Sequence, residues 1–237
     1  MDLVGRVAVI TGGTGALGAV VAKRFLEEGA RAVVGYVAED GAQRLITSVG
    51  KLKERLTCIS SDVTREENAR RLMDEAVQRH GRLDILLNIA GGFRYGPSIG
   101  ETEDKDWDFM MDLNLRSTFL CIKAALKYMR ERGYGRIVSV SSRSGLKGDA
   151  MVGPYAVSKA GVIILTQTVA EEVKGHNITV NAVLPSIIDT PANRRDMHGA
   201  DFSKWLRPEE VAEVILFLAS TRASGVTGAA IPVFGKA

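Results

Sequence analysis

Tyr155-Ala-Val-Ser-Lys159 sets a phenol and an ammonium four residues apart. On a helix that spacing puts both on one face. Pro154 suits the first helical turn, which brings Tyr155 to the positive end of the helix. Both the ammonium and the helix end favour tyrosinate, so the pair predicts a phenol lowered from its ordinary pKa of about 10. Such a group could exchange a proton near neutral pH. Alone the spacing is weak: five tyrosines give roughly 0.3 such pairs by chance. An ordinary amphipathic helix fits it as well.

A second group is the run Thr11-Gly-Gly-Thr-Gly-Ala-Leu-Gly18. Gly13, Gly15 and Gly18 satisfy G-x-G-x-x-G, while Gly12, Gly15 and Gly18 give an overlapping spacing. Glycines here permit a tight turn and close approach of the backbone to a pyrophosphate at a helix N-terminus. A strand pattern precedes the run and an amphipathic helix follows, and that context predicts a dinucleotide site. The usual companion is an acid about 20 residues on, gripping the ribose 2′-hydroxyl. Here the second strand ends at Tyr36-Val37, with no Arg or Lys beside it for a 2′-phosphate. Glu39 and Asp40 read at least as well as acids capping the next helix. Discrimination between NAD and NADP is expected to be modest.

These groups need a frame. Short apolar runs at 7–10, 32–36, 57–60, 85–88, 136–140, 179–184 and 230–233 alternate with helical patterns near 15–28, 41–49, 65–79, 104–130, 154–174 and 208–219. The 104–130 segment reads as interrupted, and Thr64-Arg-Glu-Glu67 reads as a capping box. Near-continuous apolar strands separated by helices predict an α/β fold: a doubly wound, seven-stranded parallel sheet with helices on both faces. No linker or repeat breaks the pattern, so residues 1–237 are expected to form one domain. The least regular stretch, 191–207, is expected to be a lid.

Composition narrows the function. Lys+Arg 31 against Asp+Glu 28 leaves +3, which argues against a nucleic-acid partner. No apolar run reaches the length of a membrane span, and no leader is expected. Cys58 and Cys121 read as buried free thiols of a reducing, cytoplasmic compartment. His80, His176 and His198 are scattered, so no metal site is expected.

The order of motifs resembles the short-chain dehydrogenase/reductase family over essentially the whole chain. Thr11–Gly18 is followed by Asp62-Val63, Asn88-Ile-Ala-Gly91, Asn114, Ser141-Ser142, Tyr155-x-x-x-Lys159 and Pro185…Thr190. Ser142 stands thirteen residues before Tyr155, the family's spacing for its catalytic serine. The resemblance implies a Rossmann-type fold and an NAD- or NADP-dependent oxidoreductase acting on a small carbonyl or hydroxyl substrate. A 3-oxoacyl thioester or a ketone comes first; a pteridine- or sugar-specific reductase and a non-catalytic dinucleotide-binding regulator are the alternatives.

It also implies roles. Tyr155 would give a proton to the carbonyl oxygen, which the Ser142 hydroxyl would hold. Lys159 would lower the Tyr155 pKa and bond the nicotinamide ribose, and Asn114 would anchor a water leading to solvent. Asp62 and Val63 would border the adenine, Asn88 would stabilise the sheet beside the cofactor, and Thr190 would contact the carboxamide. Gly12, Thr14, Gly15, Ala16, Leu17, Tyr36, Ala90, Gly91, Pro185 and Ile188 complete the expected cofactor wall. The resemblance further implies a homotetramer assembled through the helices at 104–130 and 154–174, which carry apolar residues on more than one side.

The chain departs from the family pattern four times. Gly15-Ala16 stands where the family has x-Gly, Ile89 replaces a second Asn, Ser186 replaces a glycine, and Tyr36 replaces the discriminating acid. In the lid, Arg194, Arg195, Lys204 and Arg207 outnumber Asp196 and Asp201. That excess would suit an anionic substrate handle, or would simply face water.

Overall fold

The computed structural model describes residues 3–236. Seven strands, β1 (Val7–Thr11), β2 (Arg31–Tyr36), β3 (Leu56–Ser60), β4 (Ile85–Asn88), β5 (Gly135–Val140), β6 (Ile178–Pro185) and β7 (Ala230–Val233), form one sheet in the order β3-β2-β1-β4-β5-β6-β7. Every pairing is parallel, with Ile10 opposite Val34 and Leu87 opposite Val138. Successive side chains alternate faces, so one strand feeds two cores. Val7 and Val9 of β1 pack on one side, and Ala8 and Ile10 on the other.

The helices α1 (Ala16–Glu27) and α8 (Pro208–Ala219) cover the Ala8 side through Phe25 and Ile215. On the Val7 side lie α3 (Glu66–His80), α5 (Ser117–Arg132) and α6 (Gly153–Glu172), with Leu72, Cys121 and Val169. Two further helices, α2 (Glu39–Val49) and α4 (Asp104–Met111), complete the expected set. The predicted interruption is a single π-helical turn, Asp112–Arg116, that joins α4 to α5 without breaking them. Such turns admit one extra residue and cluster at functional sites.

Two local expectations are corrected. The start of α3 is not a Thr64 capping box: its N-cap is Arg65, and the Thr64 hydroxyl donates instead to Asp62 Oδ1 at 2.7 Å. The stretch 191–207 is not irregular. Thr190 accepts the Asn193 N–H at 3.1 Å and starts a short helix, α7 (Pro191–Asp196). Asp189 and Leu206 are stitched by backbone bonds at the base, the Asp189 N–H meeting Leu206 O at 2.7 Å. A Thr-Pro helix start was the signal in the sequence.

The N-terminal edge of the sheet is fastened by charge. Asp84 is fully buried, accepts the Val7 N–H at 2.9 Å, and is met by Arg6, Arg82 and, at 3.9 Å, Arg132. Burial pushes its carboxyl up, but Arg82, the Val7 N–H and Arg6 outweigh that and hold it below the usual carboxylate range. The Tyr134 ring lies between the Arg6 and Arg136 guanidinium groups at 4.2 and 4.4 Å. Cys121 is buried and Cys58 is only half-buried, against the expectation for both; each is a free thiol.

Candidate active site

In a doubly wound sheet the crossovers part at the centre, leaving a crevice at the carboxyl ends of the strands. Here they part between β1 and β4. A cavity of about 880 Å³ opens there, and the segments after β1, β2, β3, β4, β5 and β6 all contribute to its wall.

One end is the glycine turn. Gly12 has φ +62°, and a Cβ there would lie 2.8 Å from the Ala90 backbone. A Cβ on Gly18 would lie 2.2 Å from Gly12 O. The turn is therefore pressed against the start of its own helix and against the β4 loop, and Gly12 and Gly18 are the two glycines held tightest against backbone. A Cβ on Gly13 would lie 2.7 Å from the Val34 side chain, and one on Gly15 would lie 3.3 Å from Gly12 O. The first turn of α1 has no acid and no side-chain cap, whereas α2 and α3 each begin with two acids. An uncapped helix start presents backbone N–H groups and a partial positive charge to the cavity. Gly12, Thr14, Gly15, Ala16 and Leu17 line this end, so the residues present fit an anionic dinucleotide. Tyr36, Asp62 and Val63 continue the wall, followed by Ala90, Gly91, Pro185, Ile188 and Thr190.

The buried Thr11 hydroxyl fixes the β4 loop by accepting the Ile89 and Ala90 N–H groups, each at 3.1 Å. Two expected residues stand behind the wall. Asn88 donates to Ser139 Oγ at 3.1 Å across the sheet. Asn114, on the π turn, clamps Gly92: its Oδ1 accepts the Gly92 N–H at 2.9 Å, and its Nδ2 donates to Gly92 O at 3.1 Å and to Ser158 Oγ at 3.2 Å. Neither side chain is part of the cavity wall.

At the opposite end Ser142, Tyr155 and Lys159 converge. Ser142 follows β5, and its Oγ accepts the Ser144 N–H at 3.2 Å, which orients the hydroxyl. Tyr155 lies in the first turn of α6 and shares the cavity wall with Ser142. Lys159 is 5% exposed and donates to Val140 O at 2.9 Å.

The electrostatics differ from the sequence expectation. Burial raises the Tyr155 phenol above its ordinary value, and the nearby Ser142 hydroxyl only partly offsets this. Lys159 does not depress it here: its Nζ sits 5.9 Å from the ring centroid and is committed to Val140. Burial pushes the Lys159 ammonium itself down to about 8.

The sequence reading missed the apolar side of this end. Phe93 packs edge-on against Tyr155 with ring centroids 4.9 Å apart, and Tyr95, Leu113 and Val152 share the wall, where Met197 of the lid, an apolar contact the sequence does suggest, joins them. The positions of Phe93, Tyr95 and Leu113 after β4 and of Val152 after β5 were the available signal. The lid cations are not in the wall. Arg194 makes a two-pronged pair with Asp189, and Lys204 and Arg207 pair with Asp201 and Glu210. Of the departures, Ser186 ties its Oγ to Phe234 O at 2.8 Å, and Ala16 opens α1 without disturbing the turn.

The chain belongs to the short-chain dehydrogenase family, whose model matches residues 6–200. It is 35% identical to 3-oxoacyl-(acyl-carrier-protein) reductase FabG of Thermotoga maritima, over 99% of this chain and 98% of that one. It is 39% identical to cis-4-hydroxycyclohexanecarboxylate dehydrogenase of Sinomonas cyclohexanicum, over 97% of this chain and 95% of the relative. The solved structure of ElxO with NADP bound superimposes with a TM-score of 0.91 at 30% identity, covering 97% of each chain. The protein is an NAD(P)-dependent oxidoreductase.

Among the described residues no helix is long and apolar enough to cross a membrane. None of their His, Cys, Asp and Glu side chains form a group of three or more that could hold a metal ion.

Proposed function

We propose that this chain interconverts a small carbonyl compound and its alcohol, with Tyr155 as the proton-transferring group and Ser142 as the holder of the carbonyl oxygen. The observation that carries this reading is the convergence of Ser142, Tyr155 and Lys159 at one end of a cavity whose other end is an uncapped helix start. The nicotinamide supplies or accepts hydride when bound.

Each residue has a task that its surroundings support. Tyr155 stays protonated at neutral pH because burial holds it high, so it is ready to donate in the reducing direction. Ser142, held by Ser144, points a hydroxyl at developing negative charge. Lys159 supplies a buried positive charge against the same wall, favouring the alkoxide side of the transfer. Asn114 acts from behind, fixing Gly92 and with it the loop that carries Phe93. The cofactor wall is Gly12, Thr14, Gly15, Ala16 and Leu17, with Tyr36, Asp62, Val63, Ala90, Gly91, Pro185, Ile188 and Thr190; Asn88 supports it through the sheet.

The apolar end formed by Phe93, Tyr95 and Leu113 favours a substrate with an apolar body, such as a 3-oxoacyl thioester or a ring ketone. Arg194, Lys204 and Arg207 are paired and none of the lid cations lines the cavity, which takes support from an anionic handle on the lid. The chain works as one domain, with 191–207 as a hinged cover, in the cytoplasm and as a homotetramer.

The test is cofactor oxidation over a panel of 3-oxoacyl thioesters, cyclic ketones and aryl ketones. Turnover is expected in wild type and a loss of about 10²–10⁴-fold in Tyr155→Phe, with dinucleotide binding retained. Near-wild-type activity in that variant would remove Tyr155 from the mechanism.

A further inference from the structure

We infer that Glu39, held in place by Tyr36, makes this chain select NAD over NADP. The inference rests on the dinucleotide reading of the cavity. Tyr36 closes β2 and lines the cavity, at the place where doubly wound folds meet the ribose 2′ position. It is not an acid, but its hydroxyl donates to Glu39 Oε2 at 2.6 Å. Glu39 is the first residue of α2, so the helix start that follows the strand returns a carboxylate to the strand's end. Asp40, its neighbour, pairs with Arg44. A sequence rule that looks only at the last strand residue misses this arrangement.

The local charge points one way. Around Tyr36 the wall consists of Thr14, Gly35, Val37, Asp62, Val63 and Thr64, with no Lys or Arg. The nearby cations are engaged elsewhere: Arg44 with Asp40, and Arg71 with Ser60 O at 2.6 Å. A 2′-phosphate would bring about two negative charges toward the Glu39 carboxylate with no cation to receive them. A 2′-hydroxyl would donate to that carboxylate, a charge-assisted bond of the stronger kind. Tyr36 restricts where the carboxylate can go, and so sharpens both effects.

Isothermal titration of NAD and of NADP into the purified protein reads the selection without turnover. NAD is expected to bind at least about tenfold tighter. Glu39→Gln should narrow the ratio by about tenfold, mainly by tightening NADP. Tyr36→Phe should narrow it less, because the carboxylate remains but is no longer held. Circular dichroism on these surface variants confirms the fold. Equal or tighter NADP binding in wild type, or an unchanged ratio in Glu39→Gln, overturns the inference and leaves the oxidoreductase reading intact. A selective loss of NADP affinity in Arg44→Ala would also overturn it, since Arg44 would then be leaving Asp40 to receive the phosphate. Failure of both dinucleotides to bind would defeat the oxidoreductase reading itself.

Discussion

Lys159 is a buried cation whose burial leaves a mark on stability as well as on chemistry. Its ammonium falls to about 8 in the folded chain, from an ordinary 10.5. Below pH 8 the folded protein carries the full cost of the buried charge. Between pH 8 and 10.5 the folded chain has released that proton while the unfolded chain still holds it, so stability contributed by this group rises with pH. Denaturant melts of the dinucleotide-free protein at pH 7 and pH 10 should therefore show wild type gaining on Lys159→Met by up to about 3 kcal/mol. A constant difference between the two proteins would mean that Lys159 is not desolvated. The four-residue spacing made Lys159 and Tyr155 legible in the sequence, but not the sign of the phenol's shift. That sign depends on how deeply Tyr155 is packed and on Val140 O capturing the ammonium, neither of which spacing encodes.

At the scale of elements, the glycine turn works as a packed joint as much as a flexible one. Gly18 has no room for a methyl group, because the obstacle is the Gly12 carbonyl rather than a movable side chain. Gly18→Ala is expected to cost about 1–3 kcal/mol through forced backbone movement. The same substitution should weaken dinucleotide binding at least tenfold, since the first turn of α1 must shift. Gly175→Ala, where nothing lies within 4 Å of the added Cβ, provides the control in the same melts and titrations. Wild-type affinity in Gly18→Ala would move the dinucleotide site away from this turn. The strands were readable because each is an apolar run bounded by turn residues; Ile85–Asn88 and Ala230–Val233 agree to the residue. An interruption within 104–130 was readable, but not its form as the π turn at Asp112–Arg116, whose signal is one extra residue inside a pattern that stays helical. The start of α3 was misread because Asp62 captured the Thr64 hydroxyl, a competition that only the folded β3 end sets up.

On the scale of the whole molecule, the outer faces of α5 and α6 bear on assembly. Cys121, Ile122, Val162 and Ile163 face inward, yet Phe119 is 46% and Ile164 61% exposed. Large apolar groups left on neighbouring helices suit a partner copy. Light scattering is expected to give four times the 25.5 kDa chain mass, and Ile164→Glu should lower it; a monomer at micromolar concentration would refute the assembly. A different consequence follows from where Asp84 sits. The arginine-ringed carboxylate fastens the start of β1 to the start of β4, while the cavity opens at the opposite ends of the strands. Sites so separated, with no shared partners, behave nearly additively. Loops such as those bearing Phe93 or Met197 can therefore be exchanged without loosening the fastening. The sheet keeps its anchorage while its working edge is free to diversify, so new substrates are reachable by inheritance of an unchanged base and drift at the rim.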